Sequence, residues 1–86
     1  MDEITDWRKR IDEIDKKLLE LLNQRARYAV EIGKIKSEKG IEIHDPLREK
    51  NIISRVCAIN NGPLSNDAVQ RLYESLITES KKLEEK

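Results

Sequence analysis

Apolar residues in the first half of the chain recur in alternating steps of three and four. Ile4, Trp7, Ile11, Ile14, Leu18, Leu21, Arg25, Tyr28, Ile32 and Ile35 fall on one heptad-like seam. Leu19, Leu22 and Ala29 widen it into a broader stripe. Neither Pro nor Gly interrupts residues 4–32, and an isolated Gly such as Gly33 costs a helix only about 1 kcal/mol relative to Ala. The spacing predicts a helix over about 4–39, closed by Gly40, with Lys36 and Lys39 favourable in its last turn. A second helix is predicted over about 46–59, with Asp45 as N-cap and Pro46 at the first helical position. Its apolar stripe is Ile52, Ile53, Val56 and Cys57. The turn cluster Asn60-Asn61-Gly62-Pro63 ends it. A third helix is predicted over about 66–84, with Ser65 as N-cap and Leu64 and Val69 placed as a hydrophobic staple. Val69, Leu72, Tyr73, Leu76, Ile77 and Leu83 form its stripe.

The lengths do not balance. A helix over 4–39 is on the order of 50 Å long. A compact monomer of this size has a radius of gyration of roughly 12 Å. Two short helices cannot cover the whole first stripe, so the pattern points to an all-α homodimer with long helices packed together. A core this small also favours a second subunit. Cys57 is the only cysteine, so no internal disulfide is available. One Cys and one His, His44, cannot build a zinc site of the usual Cys/His kind.

Composition narrows the function classes. Charged residues make up 40% of the chain, yet Lys+Arg and Asp+Glu balance at 17 each, which argues against a nucleic-acid binder working by bulk charge. Phe is absent and Trp and Tyr are few, so no aromatic platform for stacking bases is expected. No apolar run approaches the ~18 residues of a membrane span, and the charged first twenty residues do not read as a signal peptide. The lone thiol fits a reducing, cytoplasmic setting.

The informative residues are polar ones on faces that should be apolar. Arg25 interrupts the seam between Leu21 and Tyr28. A buried Arg needs an anionic partner, either a carboxylate across a dimer interface or a ligand. Lys36 lies 11 residues on and differs from Arg25 by only about 20° around the axis. Arg8, 17 residues before Arg25, is displaced by about 100° and would serve a pocket on a partner subunit more readily than its own. Glu49 shares the face of Ile52, Ile53 and Val56 and lies beyond the N3 position of a capping box. Ser80 and Glu84 point inward from the third helix. Each residue also has an ordinary reading: a solvated helix-end cation for Lys36, surface charge for Arg8 and Glu84, dipole stabilisation for Glu49, and a tolerated small residue for Ser80. His44 reads as a loop residue and Cys57 as a small buried hydrophobe. Together the set suits a small dianion carrying hydroxyls.

The strings Trp-Arg-Lys-Arg-Ile-Asp-Glu-Ile-Asp-Lys-Lys-Leu-Leu (7–19), Arg-Ala-Arg-Tyr-Ala-Val-Glu-Ile-Gly-Lys-Ile-Lys (25–36) and Asp-Pro-Leu-Arg-Glu (45–49), with the tail around Ile77–Ser80, carry a resemblance. In this order and spacing they resemble the all-helical (AroQ-class) chorismate mutases over about residues 7–84. The resemblance implies an intertwined homodimer of three-helix subunits, one domain over 1–86, with active sites built across the interface. It implies that Arg8 reaches the partner's site, and that Arg8, Arg25 and Lys36 clamp the two carboxylates of chorismate. Lys36 would also donate to the ether oxygen whose bond breaks. Glu49 would receive the ring hydroxyl, Asp45 and Arg48 would organise the pocket, and Ser80 would meet the ring carboxylate. Some members of the family carry Gln where this chain has Glu84. A carboxyl donates to an ether oxygen only when protonated, a state that burial favours. Glu84 is the third residue from the end of the given sequence, where helices fray.

The implied reaction is an intramolecular rearrangement of chorismate to prephenate in phenylalanine and tyrosine biosynthesis, needing no cofactor and no metal. An isochorismate pyruvate-lyase on the same fold is the nearest rival. A non-catalytic helical dimerisation or regulatory domain is another, and it would need no inward Arg25, Lys36 and Glu49. The pattern also fits the mutase module of a larger aromatic-pathway enzyme.

Overall fold

The computed structural model describes residues 2–85. They form three helices: α1 (Glu3–Lys39), α2 (Pro46–Ile59) and α3 (Asn66–Glu84). Each begins on the side chain the sequence offers. Asp2 accepts from the Thr5 N–H, Asp45 from Arg48 and Ser65 from Ala68. The Thr5 backbone N–H holds the Asp2 carboxyl below its ordinary range. Gly40 ends α1 in the left-handed region at φ 67°. The Ile41 N–H then reaches back to the Lys36 carbonyl at 2.9 Å, closing a Schellman turn. In the 60–65 loop, the Asn60 side chain donates to the Leu64 carbonyl and accepts from the Gly62 N–H.

α3 packs against both other helices, whereas α1 and α2 make no direct backbone-level contact. The buried core is small. Ile52 and Val56 of α2 meet Val69 and Ile77 of α3, with Ile53 and Tyr73 packed against them. Leu72, read as part of the α3 stripe, is exposed, as is the Leu64 placed for a staple. Cys57 is half-buried, its thiol directed at the Asn66 carbonyl.

On α1 only Ala29 and Gly33 are buried. Gly33 sits directly under the end of α3: a Cβ there would stand 2.6 Å from Glu84 Cα and 2.6 Å from its carbonyl oxygen. Real Cβ atoms do not come that close, so only glycine lets the two helices meet. The rest of the seam is open. Trp7 is 61% exposed, Ile14 58% and Leu18 50%. The molecule is 57 Å long with a radius of gyration of 16.3 Å, against about 12 Å for a compact chain of this length. No helix of the described residues is long and apolar enough to cross a membrane.

Candidate active site

A cleft of about 540 Å³ opens among the three helices. α1 lines it with Arg25, Ala29, Ile32 and Lys36, and the loop after α1 with Ile43 and Asp45. α2 adds Arg48, Glu49, Ile52 and Arg55, and α3 adds Tyr73, Ile77, Ser80, Lys81 and Glu84. Arg25, Ala29, Ile32 and Lys36 share one face of α1, as steps of three and four require. Ala29 and Ile32 between the two cations keep that wall apolar. The cleft owes its position to the Gly33–Glu84 approach, which brings the last turn of α3 onto the last third of α1.

Polar contacts order its walls. Arg25 donates to the Ser80 hydroxyl. Lys36 Nζ donates to the Ile43 carbonyl at 3.1 Å and lies 2.7 Å from Glu84 Oε1. Both side chains of that ion pair are largely buried, at 17% and 12% exposed. Glu84 Oε1 is fully buried, yet no donor is aligned on it as a hydrogen bond. Lys36 meets it in ion-pair contact while directing its hydrogen bond at Ile43. Across the cleft, Lys81 Nζ and His44 Nδ1 each lie 3.4 Å from Glu49 Oε2.

The lining carries five cations (Arg25, Lys36, Arg48, Arg55 and Lys81) against three carboxylates (Asp45, Glu49 and Glu84), an excess of two positive charges. Low-dielectric walls focus such a field. The arrangement can bind and orient a small dianion and can hold donors fixed against charge that develops in it. Its lining holds neither a Cys/His pair nor a Ser/His/Asp set, and its Ser80 hydroxyl is engaged by Arg25. Among the described residues no group of three or more His, Cys, Asp or Glu gathers to hold a metal ion.

Of the residues singled out from the sequence, Arg25, Lys36, Asp45, Arg48, Glu49, Ser80 and Glu84 line this one cleft. Arg8 does not. It is exposed on α1, about 26 Å along the helix from Arg25. Sequence reasoning missed Lys81, Arg55 and the Ile43 carbonyl. Lys81 carries a weak signal, since it follows Ser80 and falls one turn before Glu84 and Glu85. The Ile43 carbonyl carries none, because backbone atoms of a loop leave no trace in residue identity.

An all-helical receptor with a doubly cationic excess is the class that fold and cleft define. The chain belongs to the chorismate mutase type II family, whose profile matches residues 7–85. It is 38% identical over 90 aligned positions to a bifunctional chorismate mutase/prephenate dehydratase of Aquifex aeolicus, an alignment covering all of this chain and 25% of that one. It is 34% identical to a chorismate mutase of Methanocaldococcus jannaschii over 98% of this chain and 86% of that one. The fold superposes on a solved chorismate mutase from Thermus thermophilus with a TM-score of 0.96 at 32% identity, covering 99% of this chain and 97% of the other. The chain spans about a quarter of the length of the bifunctional relatives it matches.

Proposed function

We propose that this chain is a chorismate mutase that converts chorismate to prephenate in the cytoplasm, as an intertwined homodimer with two clefts. The observation that carries the reading is the cleft's excess of two positive charges, matched to a substrate with two carboxylates, on a chain of this family. The rearrangement stays within one molecule, so holding the substrate in its compact reactive conformer removes much of the barrier. Arg25, with Arg8 supplied by the second subunit, takes the carboxylates, and Ser80 meets the ring carboxylate. Lys36 faces the ether oxygen, where negative charge grows as the bond breaks. Glu49 accepts the ring hydroxyl, and Asp45 and Arg48 hold the start of α2 in place. Glu84 completes the ether contact as a neutral acid, which requires a proton on the carboxyl that now lies beside Lys36.

The dimer is supported by the open seam from Ile4 to Leu21 and by the extended shape. Exposed apolar surface on this scale marks an interaction site. Arg8 lies on that open half, where a packed partner helix would carry it toward a second cleft.

The test is loss of chorismate absorbance with prephenate confirmed as product, run beside Arg25→Ala. Turnover that drops by roughly 100-fold or more in the variant supports the reading, since an unpaired charge on a buried substrate is expensive. No turnover with chorismate, but turnover with isochorismate, would replace it with the lyase. In the same assay Glu84→Gln is expected to keep activity, because an amide donates to the ether oxygen where a carboxyl must first carry a proton. Loss of activity in that variant removes Glu84 from the donor role.

A further inference from the structure

Glu49 is an acid without a partner on its own helix. It stands in the first turn of α2, and the cap of that turn is already filled by Asp45. Its two oxygens are not equivalent. Oε2 is approached from two sides, by Lys81 Nζ of α3 and by His44 Nδ1 of the loop before α2, each at 3.4 Å. Oε1 has no ion-pair or hydrogen-bond partner among the described residues. Lys81 and Glu49 are both 29% exposed, set in the cleft wall. His44 is 65% exposed and is a cation only when protonated. Lys81 is therefore the standing charge on this carboxylate. The remaining charged groups of the cleft, Arg25 and Lys36 of α1, Asp45 of the loop before α2, Arg48 and Arg55 of α2 and Glu84 of α3, make no ion pair with it.

We infer that Lys81 is a positioning residue: by anchoring Glu49 Oε2 from α3, it fixes the carboxylate's rotamer and leaves Oε1 free to accept the substrate's ring hydroxyl. The inference rests on the proposed role of Glu49 as that acceptor. A free Glu side chain loses up to about 2 kcal/mol of rotamer entropy when fixed. An anchor present before binding removes that cost from the binding step. The pairing also ties α2 to α3 across the mouth of the cleft. His44 Nδ1 offers a second contact to the same oxygen from the loop before α2.

The experiment measures kcat and KM for chorismate in Lys81→Met, Lys81→Arg, Glu49→Gln and the Lys81→Met/Glu49→Gln pair, with melting curves for each. Lys81→Met is expected to lower kcat/KM roughly tenfold, the scale of one hydrogen bond to a charged group, with Lys81→Arg restoring most of it. On the Glu49→Gln background the same change should have little further effect, as coupled residues require. Unchanged kinetics in Lys81→Met, or equal losses with and without Glu49, would overturn the inference. If Glu49→Gln alone keeps wild-type kcat/KM, it is the acceptor role of Glu49 that fails. Variants that melt early yet keep the kinetic split still support positioning, whereas early melting without the split makes Lys81 a structural tie only and overturns it.

Discussion

One helix carries two halves of the same apolar pattern with opposite fates. From Ala29 to Lys36, α1 packs through its small residues: Ala29 and Gly33 are buried, Gly33 under α3, and Lys36 reaches Glu84 and the Ile43 carbonyl, while Ile32 and Ile35 stay half-exposed. From Ile4 to Leu21 the same steps of three and four carry Trp7, Ile11, Ile14 and Leu18 into solvent. Periodicity states which residues require burial, not what buries them. The packed half is covered within the subunit at Ala29 and Gly33 and lines the cleft. The open half is what a second subunit would cover, and it carries Arg8, the one site residue outside the cleft.

The comparison breaks most completely if the open half is made unable to pack. Ile14→Glu with Leu18→Glu places two carboxylates in the seam, and burying each unpaired ion costs several kcal/mol. The double variant is expected to sediment as a monomer at micromolar concentration and to lose activity by more than about 100-fold. A variant that stays dimeric and turns over at the wild-type rate would show that this half of α1 is not the interface. A monomeric variant with full activity would remove Arg8 from the site.

A smaller effect sharpens the other half. Helix propensity alone says that Gly33→Ala stabilises α1 by about 1 kcal/mol. Packing says the opposite, because the new Cβ would stand 2.6 Å from the Glu84 backbone. Overpacking of this kind costs roughly 1–3 kcal/mol, and a domain of this size loses about 4–8 °C of Tm per kcal/mol. Thermal melting therefore reads the sign directly. A lowered Tm confirms the close crossing, and a raised one shows that α3 does not rest on Gly33.

Those two variants also mark how far the sequence was legible. The three helices, their caps and the long seam follow from spacing and from Asp45, Pro46, Ser65 and Gly40, because each is a local rule. Arg25, Lys36, Glu49 and Ser80 were visible as polar residues on apolar faces. The displacement of Arg8 was visible too, since the angle around one helix needs no tertiary information. The contacts between elements were not. Gly33 looked like a tolerated weakness, and only the crossing shows it to be a requirement. Lys81 did not stand out at all, because its partner Glu49 lies on another helix. The pairing of Lys36 with both Glu84 and a loop carbonyl depends on where two distant segments end, and residue identity does not encode that.

The smallest expected effect lies at the far end of the open half, at the cap of α1. Asp2 accepts from the Thr5 N–H at 2.7 Å, and that bond lowers the acid's pKa from an ordinary value of 3.8. A carboxylate whose folded pKa is depressed stabilises the helix at pH above its unfolded pKa. The contribution fades as pH falls from that value through the lower folded one. Protection factors of the first-turn amides of α1 should therefore fall on acidification below about pH 4, well before the packed half responds. Asn at position 2 caps about as well and does not titrate, so Asp2→Asn should hold first-turn protection constant over the same range. If wild type and Asp2→Asn lose protection together, the loss is not the cap's. The open half would then be responding to acid as a unit, through whatever covers its seam.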